Sequence, residues 1–134
     1  MATIVPADVR SDGVRLIWKS AKRGLTITYG EIMRECGVPR GQPVRNGKAV
    51  GDVVGQISEW TREEWGIYLS AIVVRKNTGY PGGGFFGLRG IPKAFARDEA
   101  GWADQRLTAD EKIFLRKRRQ EAFGWAKRRK LPID

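Results

Sequence analysis

The sequence predicts an α+β, mainly helical chain: a winged helix-turn-helix with a β-hairpin wing and an added C-terminal basic helix. Three observations carry this. Two short helical patterns flank a polar loop rich in Gly and Pro; a β-branched run from Ile67 to Val74 is followed by a turn; and a capping box at Thr108 opens a long basic stretch. The pattern is read as one domain over 1–134, with a helix at 10–24, the helix pair at 28–65, the wing at 66–90 and the basic helix at 107–130.

Taken in order, the first helix is expected over Ser11 to Lys22, capped by Ser11 and closed by Gly24, with Val14, Ile17, Trp18 and Ala21 as its apolar stripe. Its other face is basic, with Arg15, Lys19, Lys22 and Arg23. Thr28 and Glu31 have the S/T-x-x-E spacing of a capping box, so a second helix starts at Tyr29 and stops near Cys36 and Gly37. After a loop from Pro39 to Gly47, a third helix carries Val50, Val53, Val54, Ile57 and Trp60 on one face. Trp60 to Gly66 reads as a frayed helix end or loop. Two short helices joined by such a turn are the ingredients of a helix-turn-helix.

Ile67 to Val74 is rich in β-branched and aromatic residues and is expected to be a strand; Asn77-Thr78-Gly79 is a turn, and Tyr80 to Leu88 a return strand, which together make the wing. Within it, Gly82-Gly83-Gly84 is read as a flexible or tightly bent strand entry rather than a phosphate nest, because the Gly-Lys-Ser/Thr ending of a nucleotide loop is missing. Phe85 and Phe86 are expected to divide between core and surface. A crossing connection follows, with a short helix around Lys93 to Arg97. The last helix begins at the capping box Thr108-x-x-Glu111 and runs towards Lys130, loosened at Gly124.

Charge points to a partner class. Lys and Arg number 25 against 15 Asp and Glu, a net charge of +10 that favours a polyanion. Between Leu107 and Asp134 there are nine Lys/Arg against four Asp/Glu, so about half of the excess lies in the last fifth of the chain. One cysteine and no histidine remove disulfide frameworks, histidine acid-base catalysis and the usual zinc sets together. The first residues lack a basic start and apolar run, and the longest largely apolar run, Ile67 to Val74, is far too short to span a bilayer, so a cytoplasmic protein is expected.

With these positions placed, the chain resembles the DNA-binding domain of the alkylguanine-DNA alkyltransferases and the alkyltransferase-like proteins. Thr28-Tyr29-Gly30-Glu31-Ile32 is similar to that family's TYGE helix start, Lys48-Ala49-Val50-Gly51 to its RAVG recognition helix, and Ala71 to Val74 to the strand before a glycine-rich segment, here Gly79 to Gly87. The resemblance covers Arg23 to Leu88, about half of the chain. It implies that Tyr29 presses on a phosphate of the target nucleotide and that Lys48 stands where an arginine fills the gap left by a flipped base. A lysine is a point charge on a flexible stem, so phosphate or groove contact fits it better than stacking. Where the family has its Pro-Cys-His-Arg active site, this chain reads Arg75-Lys76-Asn77-Thr78, without thiolate or histidine. Cys36 falls on a different element and reads as a small core residue. The resemblance therefore implies a DNA grip without alkyl transfer.

The candidate nucleic-acid contacts are Thr28 and Tyr29 at the second helix, Arg40, Arg45, Asn46 and Lys48 before and at the recognition helix, and Arg75, Lys76 and Asn77 at the wing tip. Arg116, Arg119, Lys127 and Arg128 join them from the basic helix, which adds salt-sensitive phosphate affinity. No catalytic residue, metal or cofactor is expected. The expected partner is nucleic acid, first of all duplex DNA, with no membrane and with room for a protein partner. Two alternatives stay open: an RNA, ribonucleoprotein or protein-interaction module of a mobile element, and a metal-dependent nuclease, for which Asp52 and Asp110-Glu111-Lys112 offer no strand-borne carboxylate set.

Overall fold

The computed structural model describes residues 5–6, 9–35, 47–95 and 107–129. In chain order these form α1 (Ser11–Lys22), β1 (Ile27–Thr28), α2 (Tyr29–Glu35), α3 (Gly47–Trp65), a 3-10 turn (Leu69–Ile72), β2 (Val73–Val74), α4 (Gly83–Phe86), a second 3-10 turn (Lys93–Phe95) and α5 (Ala109–Arg128). The protein is mainly helical, with a small two-stranded sheet. No helix among the described residues is long and apolar enough to cross a membrane.

Helix α1 keeps the expected bounds but not the expected cap. Its N-cap is Arg10, with no side-chain cap bond. Asp12, in the first turn, instead pairs with Arg10 at 2.8 Å and accepts the Gly13 N–H, which places a negative charge at the positive end of the helix dipole. The other end closes as a Schellman motif: Gly24 N–H donates to Ala21 C=O and Leu25 N–H to Ser20 C=O, with Gly24 at φ +72°. Val14, Ile17 and Ala21 are buried, while Trp18 is only partly so.

Helix α3 is longer than its sequence suggested. Trp60 to Trp65 is helical rather than frayed, because Trp65 packs edge-on to Trp60 at 5.3 Å and lies 5.2 Å from Trp125 of α5. That row of rings anchors the last turn, which Gly66 then ends at φ +71°. Val50, Val54, Ile57 and Trp60 are buried as the stripe predicts.

The expected hairpin is not formed by the described residues. Ile67 to Val74 is buried at every position, Tyr68 and Ser70 included, so the run has no exposed alternate face. A half-exposed strand has no place there. Leu69–Ile72 turns as a 3-10 segment between α3 and α5, and only Val73 and Val74 are extended. They pair in parallel with Ile27 and Thr28, Ile27 opposite Val73 and Thr28 opposite Val74.

The backbone of this segment finds side chains instead of a ladder. Ser70 N–H donates to Ser58 Oγ, Leu69 N–H to Thr61 Oγ1, and the Thr61 hydroxyl donates to Ile67 C=O at 2.7 Å. Buried amides need partners, and α3 supplies them from two buried hydroxyls. The return strand is likewise replaced. Gly83–Phe86 is a single helical turn, with Phe85 and Phe86 both buried rather than divided between core and surface.

Two apolar clusters result. The larger gathers α1, β1, α3, β2 and Trp125 of α5; the smaller joins Tyr68, Phe85, Phe86, Ile91, Leu107 and Leu115, flanked by Phe95 and Phe114. Helix α5 belongs to both, and runs through Gly124 without a break. Its capping box is complete: Glu111 N–H donates to Thr108 Oγ1 and Thr108 N–H to Glu111 Oε1.

Candidate nucleic-acid interface

The residues singled out around α2 meet at Gly82. Thr28 Oγ1 accepts the Glu31 N–H at 3.1 Å and so starts α2. Tyr29, half-buried against the larger core, accepts the Gly82 N–H on its Oη at 2.8 Å. A Cβ on Gly82 would stand 3.4 Å from that Oη and 3.6 Å from both Nε and Nη2 of Arg75. Tyr29 and Arg75, 46 positions apart in sequence, are therefore neighbours across one glycine.

Arg75, Lys76 and Asn77 lie on a closed turn. Arg75 N–H donates to Tyr80 C=O, and Thr78 and Gly79 N–H both donate to Arg75 C=O, with Gly79 at φ +74°. The turn is thus as predicted, although the strands expected on either side of it are not. Lys76 and Asn77 are exposed at its tip, Arg75 partly covered.

Arg119 holds this turn from α5. Its Nε donates to Ala71 C=O at 2.9 Å and its Nη2 to Gly79 C=O at 2.7 Å. Burial lowers its pKa from the ordinary arginine value. Arg119 is thus engaged inside the molecule, whereas Arg116, Lys127 and Arg128 are exposed. At 100° per residue, Arg116, Arg119 and Lys127 share about 80° of arc on α5, with the partly covered Arg119 at one edge and the two exposed cations at the other. Lys127 reaches the turn after α1, its Nζ 3.6 Å from where a Cβ on Gly24 would be. Arg128 folds back over Gly124.

Lys48 lies in the first turn of α3, and its side chain is outside the described set. Arg40, Arg45 and Asn46 also lie outside the described residues, as do Cys36 and Gly37.

Charge is divided between elements. Helix α5 carries seven Lys/Arg against three Asp/Glu and α1 three against one, while α3 carries two against four. The acidic side of α3, with Asp52, Glu59 and Glu63, lines an open cavity of about 800 Å³ whose apolar wall is Trp60, Leu88 and Val9. Glu59 is engaged there, accepting the Arg89 N–H at 3.1 Å and lying 3.7 Å from Arg62.

Two residues of the site are not legible in the sequence. Arg119 was read as a surface cation, and nothing in a basic run distinguishes the one arginine whose helical position faces a neighbouring carbonyl. Gly82 was read as part of a flexible run, while its amide is the partner of Tyr29. Among the described residues, no three His, Cys, Asp or Glu side chains gather as a metal site. Compared with known proteins, the chain matches no family model, no curated protein and no solved structure.

Proposed function

We propose that this protein binds duplex DNA without catalysis, through the start of α2, the Arg75–Tyr80 turn, the start of α3 and the exposed edge of α5. The observation that carries the reading is the meeting of Tyr29 and Arg75 at Gly82, on a turn that Arg119 fixes to the most basic helix. In this reading α2 and α3 form a helix-turn-helix, and the closed turn stands where a wing would. In this reading Lys76 and Arg116, both exposed, contact phosphates. The resemblance to the alkyltransferase DNA-binding domain supports the same assignment, with Lys48 as a groove or phosphate contact.

The test is a fluorescence anisotropy titration of a mixed-sequence duplex, the matching single strand and an RNA hairpin at 50 and 200 mM KCl. Duplex binding that weakens steeply with salt is expected, and Lys76→Gln with Arg116→Gln lowers the log-log salt slope by about 2. Preference for the RNA hairpin would replace the duplex reading. A second reading, a protein-interaction module, is favoured by the acidic cavity beside Trp60, which suits a cationic peptide and not a polyphosphate.

A further inference from the structure

The C-terminal ends of α1 and α5 meet around Gly24, and the cations there are not explained by the Tyr29–Arg75 surface. Lys19, Lys22 and Arg23 are exposed on α1 and the turn after it, and Lys127 of α5 extends its ammonium group to Gly24, next to Arg23 in sequence. Lys22 is held with its Nζ 4.8 Å from the centroid of the Trp18 ring, which fixes the direction of one charge.

Among the described residues none of these four is in an ion pair. The one acid of α1 and the last acid of α5 are engaged elsewhere: Asp12, in the first turn of α1, with Arg10 at 2.8 Å, and Glu121 with Arg118 at 3.0 Å. Cations in a last turn offset the helix dipole, and that accounts for Lys22. Lys127 crosses from its own helix to the end of α1, where its ammonium joins Lys22 and Arg23 at the same helix terminus. Such an arrangement is favoured where the cations share an anion.

We propose that this junction is a second phosphate-backbone site, in which Lys22 and Arg23 of the α1 end act with Lys127 on the same duplex. The inference rests on the duplex reading above. Arg119, which holds the turn bearing Lys76, and Lys127 are eight residues apart on one side of α5, on the order of 12 Å along its axis. The junction thus extends the footprint along the duplex rather than duplicating the first contact.

The test compares the full chain with its Lys22→Gln/Arg23→Gln/Lys127→Gln variant on a 20-base-pair duplex, by fluorescence anisotropy between 50 and 200 mM KCl. Far-UV circular dichroism and urea unfolding establish that both proteins are folded. The variant's log-log salt slope falls by about 2 to 3, since each phosphate contact contributes about 0.9. An unchanged slope with binding retained overturns the junction site and leaves the duplex reading standing; the cations then only offset helix ends. Absence of duplex binding by the unaltered chain removes both.

Discussion

Tyr29 Oη and the Gly82 amide, 53 positions apart, are joined by a 2.8 Å hydrogen bond that ties the first residue of α2 to the glycine-rich segment after β2. Tyr29→Phe keeps the ring against the core and leaves the amide without this acceptor. A loss of about 1 kcal/mol is expected by urea unfolding. A change below about 0.3 kcal/mol would mean that the amide finds solvent at no cost.

Arg119 is expected to matter more. Arg119→Ala removes two donors from carbonyls 48 and 40 positions away, and a loss of about 2 kcal/mol is expected. Arg119→Lys keeps the charge but cannot span both carbonyls with a planar fork, so it recovers less than half. If the lysine variant were as stable as the parent, charge and not geometry would be what holds the turn.

The Thr28 cap, the Thr108 capping box, the buried faces of α1 and α3 and the Asn77 turn were legible in the sequence because each is a local pattern, fixed by spacing within a few residues. The partners of Ile67–Val74 were not. An apolar run is compatible with a strand or with a buried turn, and the deciding groups, Ser58, Thr61 and Arg119, lie 6 to 48 positions from the amides and carbonyls they serve. For the candidate interface, the residue types were legible and their meeting was not. Nothing local says that Tyr29 faces Gly82, or that one arginine in the run from Arg116 to Arg119 points inward.

Gly90 has φ +84°, and a side chain there would collide with the Tyr68 hydroxyl, which donates to Arg89 C=O. Gly90→Ala is expected to cost about 2 kcal/mol or more, from strain and overlap together. Tyr68→Phe with Gly90→Ala should cost less than the sum of the two single changes, since the hydroxyl that collides is gone. Strict additivity in a double-mutant cycle would refute the contact.

Burial raises the Tyr68 pKa above its ordinary value of 10.0, with the Arg62 charge opposing. A raised acid contributes fully below the unfolded pKa and loses that contribution as pH rises towards and through the folded one. Stability should therefore be flat with respect to this group at neutral pH and fall above about pH 10, by at most about 1.4 kcal/mol per pH unit. In Tyr68→Phe, urea midpoints measured from pH 9 to 11 should fall less steeply.

Gly55 sits within α3 at a position where a Cβ would meet nothing within 4 Å. Gly55→Ala should raise stability by about 0.5 to 1 kcal/mol, by the difference in helix propensity. If duplex affinity dropped as the melting temperature rose, a partner would approach the bare backbone at that turn.

The clasp of Arg119 on Ala71 and Gly79 also bears on the order of events during synthesis. Both carbonyls leave the ribosome some forty residues or more before the guanidinium that satisfies them. A nascent chain that has reached only the glycine-rich segment lacks the guanidinium that fastens its turn. The surface that bears Tyr29 and Arg75 therefore acquires its Arg119 clasp only once α5 has been made. Ribosome-bound chains halted before α5 should leave the 75–80 turn open to proteases that the finished protein resists.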